Sequence, residues 1–310
     1  MISKRNELTS LGLNNLIGMG KYATDIEAQI RLLQARGMQF EIPFGIEKAK
    51  EILLDIGYYR LGFYWQPFEE DKHHAFRRGV KFQDVVDLYY LDADLREVLF
   101  RAIKRIEVNF RTQLVYHVSN NYASNAQWYV DSEIVQEKFV QKFKQNYYTA
   151  QFISSNKAIK RHHTKYPADL YAPAWKTLEY LTFGTIELLF KSIRDENVKM
   201  AISLRYGINR LDIFSNYLKT IVFIRNICAH NEVLFDSNTA QGIKITPLIP
   251  LSNDDRHSLY GSIQVVLYFL GQISRNRKLD LEVQMKNLFS KFVDNAIIRG
   301  VIEHDMMIKL

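Results

Sequence analysis

Along most of this chain apolar residues recur every three or four positions, the spacing that gathers them on one face of a helix. The clearest case is 82–122, FQDVVDLYYLDADLREVLFRAIKRIEVNFRTQLVYHVSNNY, which contains neither Gly nor Pro. Leu88, Leu91, Leu95, Leu99, Ile103, Ile106 and Phe110 keep the register there, so the pattern predicts one long central helix. Shorter helices are predicted over 25–36, with Ile26, Ile30 and Leu33 inward and Gly37 as a stop, and over 46–55, ended by Gly57. A further helix is predicted over 173–193, where Trp175, Leu178, Leu181, Ile186, Leu189 and Phe190 are the core candidates and Gly184 permits a close helix crossing. The stretch 213–230 reads as another, and two more fall near 256–274 and 280–297.

Three segments break the pattern. Residues 58–70, YYRLGFYWQPFEE, crowd six aromatics around Gly62 and Pro67, which favours a packed connection over an exposed docking surface. Residues 131–166 are polar and basic with no firm apolar stripe, an insertion that is either RNA-facing or simply solvated. Residues 237–254, SNTAQGIKITPLIPLSND, read as irregular or extended. The expected fold class is therefore all-α, a helical bundle with few or no strands. It is read as one domain over 1–310, with a basic insertion near 131–166 and a helical extension over 256–310.

Composition narrows the function classes. A single Cys, Cys228, excludes an intramolecular disulfide, so it reads as a small apolar filler and a cytoplasmic location is expected. No apolar run approaches the ~20 residues of a membrane span, and the opening MISKRNELTSLG lacks the apolar stretch of a secretion signal. The net charge of +7 leans toward phosphate-bearing partners. Phosphate-loop, dinucleotide, zinc-protease and serine-hydrolase motifs are all missing. His162 and His163 are adjacent, a poor spacing for two ligands from one helical face, so no metal site and no cofactor is expected.

What remains is an Arg followed by a His four to six positions later. Composition alone yields about 1.5 such spacings; the chain has three: Arg111 with His117, Arg225 with His230, and Arg299 with His304. Helical geometry ranks them. At roughly 100° per residue, Phe214, Tyr217, Leu218, Ile221, Ile224 and Cys228 form one apolar stripe, and Arg225 falls inside it. An Arg placed there must meet a carboxylate, a phosphate or a carbonyl. Asn226 and His230 lie on the polar side as i,i+4 neighbours able to share one target. His117 instead falls on the apolar stripe of its own helix, which reads as structural, and Arg299 with His304 reads as a chance match near the tail.

The chemistry this pattern suits is metal-independent RNA cleavage. A 2′-hydroxyl attacks the adjacent phosphate, a His moves the proton, and an Arg stabilises the charge on phosphate oxygens. The candidate catalytic residues are Arg225, Asn226 and His230. Lys104 and Arg111 on the long helix, with Lys160 and Arg161 in the basic segment, are the candidate RNA contacts; the alternative is a solvated, salt-bridged face, with Glu107 and Arg111 as an i,i+4 pair.

Five ordered blocks then resemble a known family. They are IGYYRLGFYWQPF, the stretch from Phe76 to Asp92, AIKRIEVNFRTQLVYHVS, PAWKTLEYLTFGTIELLF and IRNICAHNEVLF. Their order is similar to that of the Abi family, the AbiD and AbiF type of bacterial abortive-infection proteins, itself similar to the HEPN superfamily. The resemblance implies a HEPN-like helical core and an RNase, usually dimeric, whose R-x4-6-H motif falls here on Arg225, Asn226 and His230. It also implies a toxin-antitoxin role in antiviral defence, RNA as substrate, a structured small RNA as possible antitoxin, a homodimer, and no membrane. Asn231 departs from the pattern, since many relatives carry a second His there. The competing expectation is a non-catalytic RNA-binding or phage-sensing helical module.

Overall fold

The computed structural model describes residues 23–41, 45–70 and 74–309, so the opening MISKRNELTSLG lies outside the described residues. Among these residues there are fourteen α-helices and no strand, only isolated bridges such as Val135 with Ile193. The chain is all-α. No helix among the described residues is long and apolar enough to cross a membrane. The chain forms two compact units, divided between Val86 and Asp87.

In the first unit, α1 (Ile26–Ala35) is capped by Asp25, whose carboxylate accepts from the amide of Ala28 at 2.7 Å. It stops where Gly37 takes φ +95°, a conformation that disfavours residues with a Cβ. The helices α2 (Ile46–Asp55) and α3 (Tyr58–Trp65) follow, separated by Gly57 at φ +93°. The aromatic segment is divided: Tyr64, Trp65 and Phe68 are buried, while Tyr59 stands 81% exposed. Leu61 is buried too and Tyr58 meets Trp65 edge-on at 4.8 Å, so packing takes most of the segment and leaves Tyr59 and Phe63 outside.

The division falls inside α4 (Phe82–Asn121), whose residues from Asp87 onward are the spine of the second unit, and the seven predicted stripe residues from Leu88 to Phe110 are all buried. After it come α5 (Glu137–Asn146), α6 (Ala150–Ser155) and α7 (Lys157–Lys165). The basic segment therefore does contain a stripe: Phe139, Val140 and Phe143 are buried, and Phe143 meets Tyr129 edge-on at 5.2 Å. Its short helices hid this, since none reaches three full turns over which apolar periodicity can show.

The helix predicted over 173–193 is interrupted. It forms α8 (Ala174–Thr177), a 3-10 turn, and α9 (Phe183–Ser192), because Thr182 caps α9 by accepting from the amide of Thr185 at 3.2 Å. Leu181 is left extended, and Trp175, expected in the core, is 54% exposed. Gly184 lies against α11, but an added Cβ would stand 3.8 Å from Val222, an ordinary contact, so the crossing does not require Gly.

The remaining helices are α10 (Glu196–Leu204), α11 (Leu211–Ala229), α12 (Leu259–Ile273), α13 (Arg275–Ser290) and α14 (Ala296–His304). Phe110 of α4 meets Phe190 of α9 at 5.6 Å and Phe214 of α11 at 6.0 Å, and Phe214 meets Phe269 of α12 at 5.7 Å. Each such ring pair contributes about 0.5–1.5 kcal/mol beyond its buried area. This aromatic cluster locks α11 against α4.

His117 and His162 are expected to lower the stability of the second unit in acid. The Nε2 of His117 is buried with no partner among the described residues. Burial first, then the charge of Arg205, hold its pKa below the ordinary 6.5. Burial, then Lys176, lower that of His162, which touches Asp169 at 3.0 Å. A lowered pKa means that the unfolded chain takes up protons more readily. Stability is therefore full above about pH 6.5 and falls as the pH drops from there toward the folded-state values. Unfolding free energy measured against pH should show that slope, and His117→Leu should flatten it; an unchanged slope would remove His117 as a contributor.

Candidate active site

The Arg/His stretch occupies the last turn of α11. Ile221, Ile224 and Cys228 are buried, as the stripe requires, and burial pushes the Cys228 thiol up to about 12, which keeps it neutral and unreactive. Asn226 and His230 are exposed. His230 is the C-cap, its amide donating to the carbonyl of Asn226 at 3.0 Å.

The chain then turns sharply. Asn231 takes φ +54°, and the amide of Glu232 donates back to the carbonyl of Ile227 at 3.1 Å. This is the six-to-one closure of a left-handed helix end, where Asn is the usual substitute for Gly. Asn231, the departure from the resembled pattern, thus has a backbone reason to be Asn.

A clamp on α4 holds the turn. The Asp92 carboxylate is fully buried and accepts from the amides of Leu234, at 3.2 Å, and Phe235, at 2.7 Å, and from Arg96. Arg96 also donates to the carbonyl of Glu232 at 3.0 Å. The segment that follows His230 is therefore fastened to the spine, which fixes where the end of α11 points.

Arg225 meets a carboxylate, one of the three partners its position demanded. Its Nε donates to Glu107 Oε2 at 3.3 Å, and its guanidinium lies 6.0 Å from the Phe100 ring. Its two Nη groups make no hydrogen bond among the described residues, and the side chain is 22% exposed. The outer edge of the guanidinium fork is thus open to an anion.

Glu107 is shared. Its other oxygen accepts from Arg111 at 2.9 Å, and Arg111 also donates to the carbonyl of Leu181 at 3.1 Å. That carbonyl is the one left over by the break before α9, so the interruption and the site are coupled. Arg111 is buried, and the Glu107 and Arg111 face is not solvated but packed inside the second unit. Lys104 is exposed, its Nζ 4.6 Å from the Phe100 ring, while Lys160 and Arg161 are exposed on α7. The four candidate RNA contacts are thus divided between two elements, α4 and α7.

The Glu107 carboxylate is a positioning group for Arg225 that spacing along the chain does not reveal. Glu107→Gln keeps the shape but removes the carboxylate that holds Arg225 and the nearer of the two that Arg111 meets, Glu179 standing 3.9 Å away. It is expected to cost about 1–3 kcal/mol of stability and to weaken phosphate binding at Arg225; an unfolding curve superimposable on that of the unaltered chain would refute the pairing.

His117 is half-buried and edge-on to Tyr116 at 5.3 Å, and Arg299 and His304 lie exposed along α14. Arg111 of the first pair shares Glu107 with Arg225, whereas Arg299 donates to the carbonyl of Val293 at 3.1 Å and makes no ion pair among the described residues. No group of three or more metal-ligating side chains occurs among the described residues; His162 and His163 are instead bonded to Asp169 and Tyr148.

No curated protein and no solved structure matches the chain. A profile of the Abi-like protein family matches residues 51–236, more than half of the chain, a range that includes the clamped turn. The protein belongs to the Abi-like family.

Proposed function

We propose that this protein is an endoribonuclease toxin of an anti-phage abortive-infection or toxin-antitoxin system. Membership of the Abi-like family carries the abortive-infection part of the reading. The observation that carries the nuclease part is the last turn of α11, where an Arg with a free outer edge and an exposed His and Asn stand within five residues on a helix end pinned to the spine.

In this reading the ribose 2′-hydroxyl attacks its own 3′-phosphate and the bond from phosphorus to the 5′-oxygen breaks. The products are a 2′,3′-cyclic phosphate and a 5′-hydroxyl, the proton lost by the 2′-oxygen being balanced by the one gained at the 5′-oxygen. Arg225 supplies charge to the phosphate oxygens, Asn226 orients the phosphate, and His230 moves a proton. One chain offers one such His, so the second proton position falls to His230 of another copy, and a homodimer is part of the proposal. The Arg and His chemistry asks for no metal ion and no cofactor.

The test is cleavage of RNA by the purified protein in EDTA, with end-group analysis of the fragments. Cyclic phosphate ends that disappear in His230→Ala are expected. A second reading has one observation in its favour: Arg225 is already paired with Glu107, as a structural Arg would be. In that reading the protein is a non-catalytic RNA-binding module, and intact RNA bound by both forms would establish it.

A further inference from the structure

A second cluster of arginines lies on a different side of α4. Arg101 and Arg105, one helical turn apart, face Arg277 of α13 across an open groove floored by Ala102, Leu270 and Leu281. Arg101 donates to Gln284, a neutral group. None of the three arginines makes an ion pair among the described residues, although Asp280 lines the same groove.

This sets them apart from the arginines around the α11 site. Arg96 is paired with Asp92, Arg111 and Arg225 with Glu107, and Arg210 with Asp212. Like charges at i,i+4 cost a helix a few tenths of a kcal/mol, so Arg101 and Arg105 repel each other without an internal partner to offset it. Three guanidiniums and one carboxylate leave the groove with an excess of positive charge directed at solvent.

Exposed cations on the spine lie between the groove and the α11 site. At about 100° per residue, Lys104 lies about 40°, Arg101 about 100° and Arg105 about 140° round the helix from Phe100, the ring that faces Arg225. All three are exposed. An arc of cations therefore runs from Arg225 to the groove, longer than one small anion would occupy and suited to a chain of phosphates.

We propose that the groove of Arg101, Arg105 and Arg277 is a subsite for backbone phosphates of single-stranded RNA, holding the strand away from the reacting phosphate. It rests on the nuclease reading only in naming RNA as the polymer. Contacts of this kind set register and affinity without reading sequence.

The test is binding of a labelled single-stranded RNA oligonucleotide to the full chain carrying His230→Ala, which leaves the probe uncut, over a range of salt. Adding Arg101→Ala and Arg277→Ala is expected to weaken binding about tenfold at moderate salt and to reduce the slope of log affinity against log salt by roughly 1.4, two phosphates at about 0.7 each. Asp280→Asn is expected to tighten binding. The substituted residues are exposed, so circular dichroism should report an unchanged fold. Unchanged affinity and slope in the double variant overturn the proposal, as does a failure of the chain to bind single-stranded RNA. Saturable mononucleotide binding that the double variant abolishes while RNA affinity stays unchanged overturns it also, by assigning the groove to a small ligand. If the unaltered protein leaves RNA intact while the arginine variants still lose binding, the nuclease reading fails and the subsite stands.

Discussion

Replacing His230 by Ala is expected to slow RNA cleavage in EDTA by about 10²–10⁴-fold, the usual contribution of one positioned acid or base. The fold should be unaffected. His230 is exposed, its ring makes no hydrogen bond among the described residues, and its cap contact is made by the backbone amide, which Ala retains. Surface changes of this kind stay within about 0.5 kcal/mol. Initial rates on a defined RNA, read beside a denaturation curve, therefore separate chemistry from stability. A variant that cleaves at the original rate would sink the assignment. His117→Ala serves as the contrast: its Nε2 is enclosed, and its substitution should alter the pH dependence of stability while leaving the cleavage rate in place.

Replacing Asp92 by Ala is expected to cost about 3–5 kcal/mol, the range for removing one member of a buried ion pair. Three donors lose their acceptor together: the amides of Leu234 and Phe235 and the guanidinium of Arg96. Arg96, itself buried, would be left with the Glu232 carbonyl alone among these groups. Because a typical domain has only about 5–15 kcal/mol in hand, the loss should be plain in a urea titration, and hydrogen exchange at Leu234 and Phe235 should accelerate first. A change below about 1 kcal/mol would show that the clamp contributes little. Asp92→Asn should be intermediate, since the amide oxygen still accepts from the backbone but carries no charge to oppose Arg96.

Both residues bear on how much the chain reveals before it folds. His230 was visible through spacing, once helix geometry separated the Arg225 pair from two similar ones. Asp92 was visible only as an anomaly. Counting about 100° per residue, it sits in line with Phe110 on the apolar stripe of α4, with Arg96 about 40° and Glu107 about 60° away. A charge inside an apolar arc signals a buried partner; Arg96 for Asp92 and Arg111 for Glu107 stand one turn away, but the partners on α11 and in the turn after it lie 118 to 143 residues further on, beyond the reach of any local pattern. The interruption before α9 was missed for a different reason: Thr182 competes as a cap with the apolar periodicity that runs through it, and the cap prevailed because Arg111 satisfies the freed Leu181 carbonyl.

The sequence by itself determined the all-α class, the extent of the spine, and the positions of Arg225, Asn226 and His230 at a helix end, because helical periodicity, caps and turn residues act over a few positions. Only the tertiary structure decided that Glu107 holds Arg225 and that Asp92 holds the turn after His230. It alone brought Arg277 opposite Arg101 and Arg105. A charge finds its partner by proximity in space, and that proximity exists only once α4, α11 and α13 have packed.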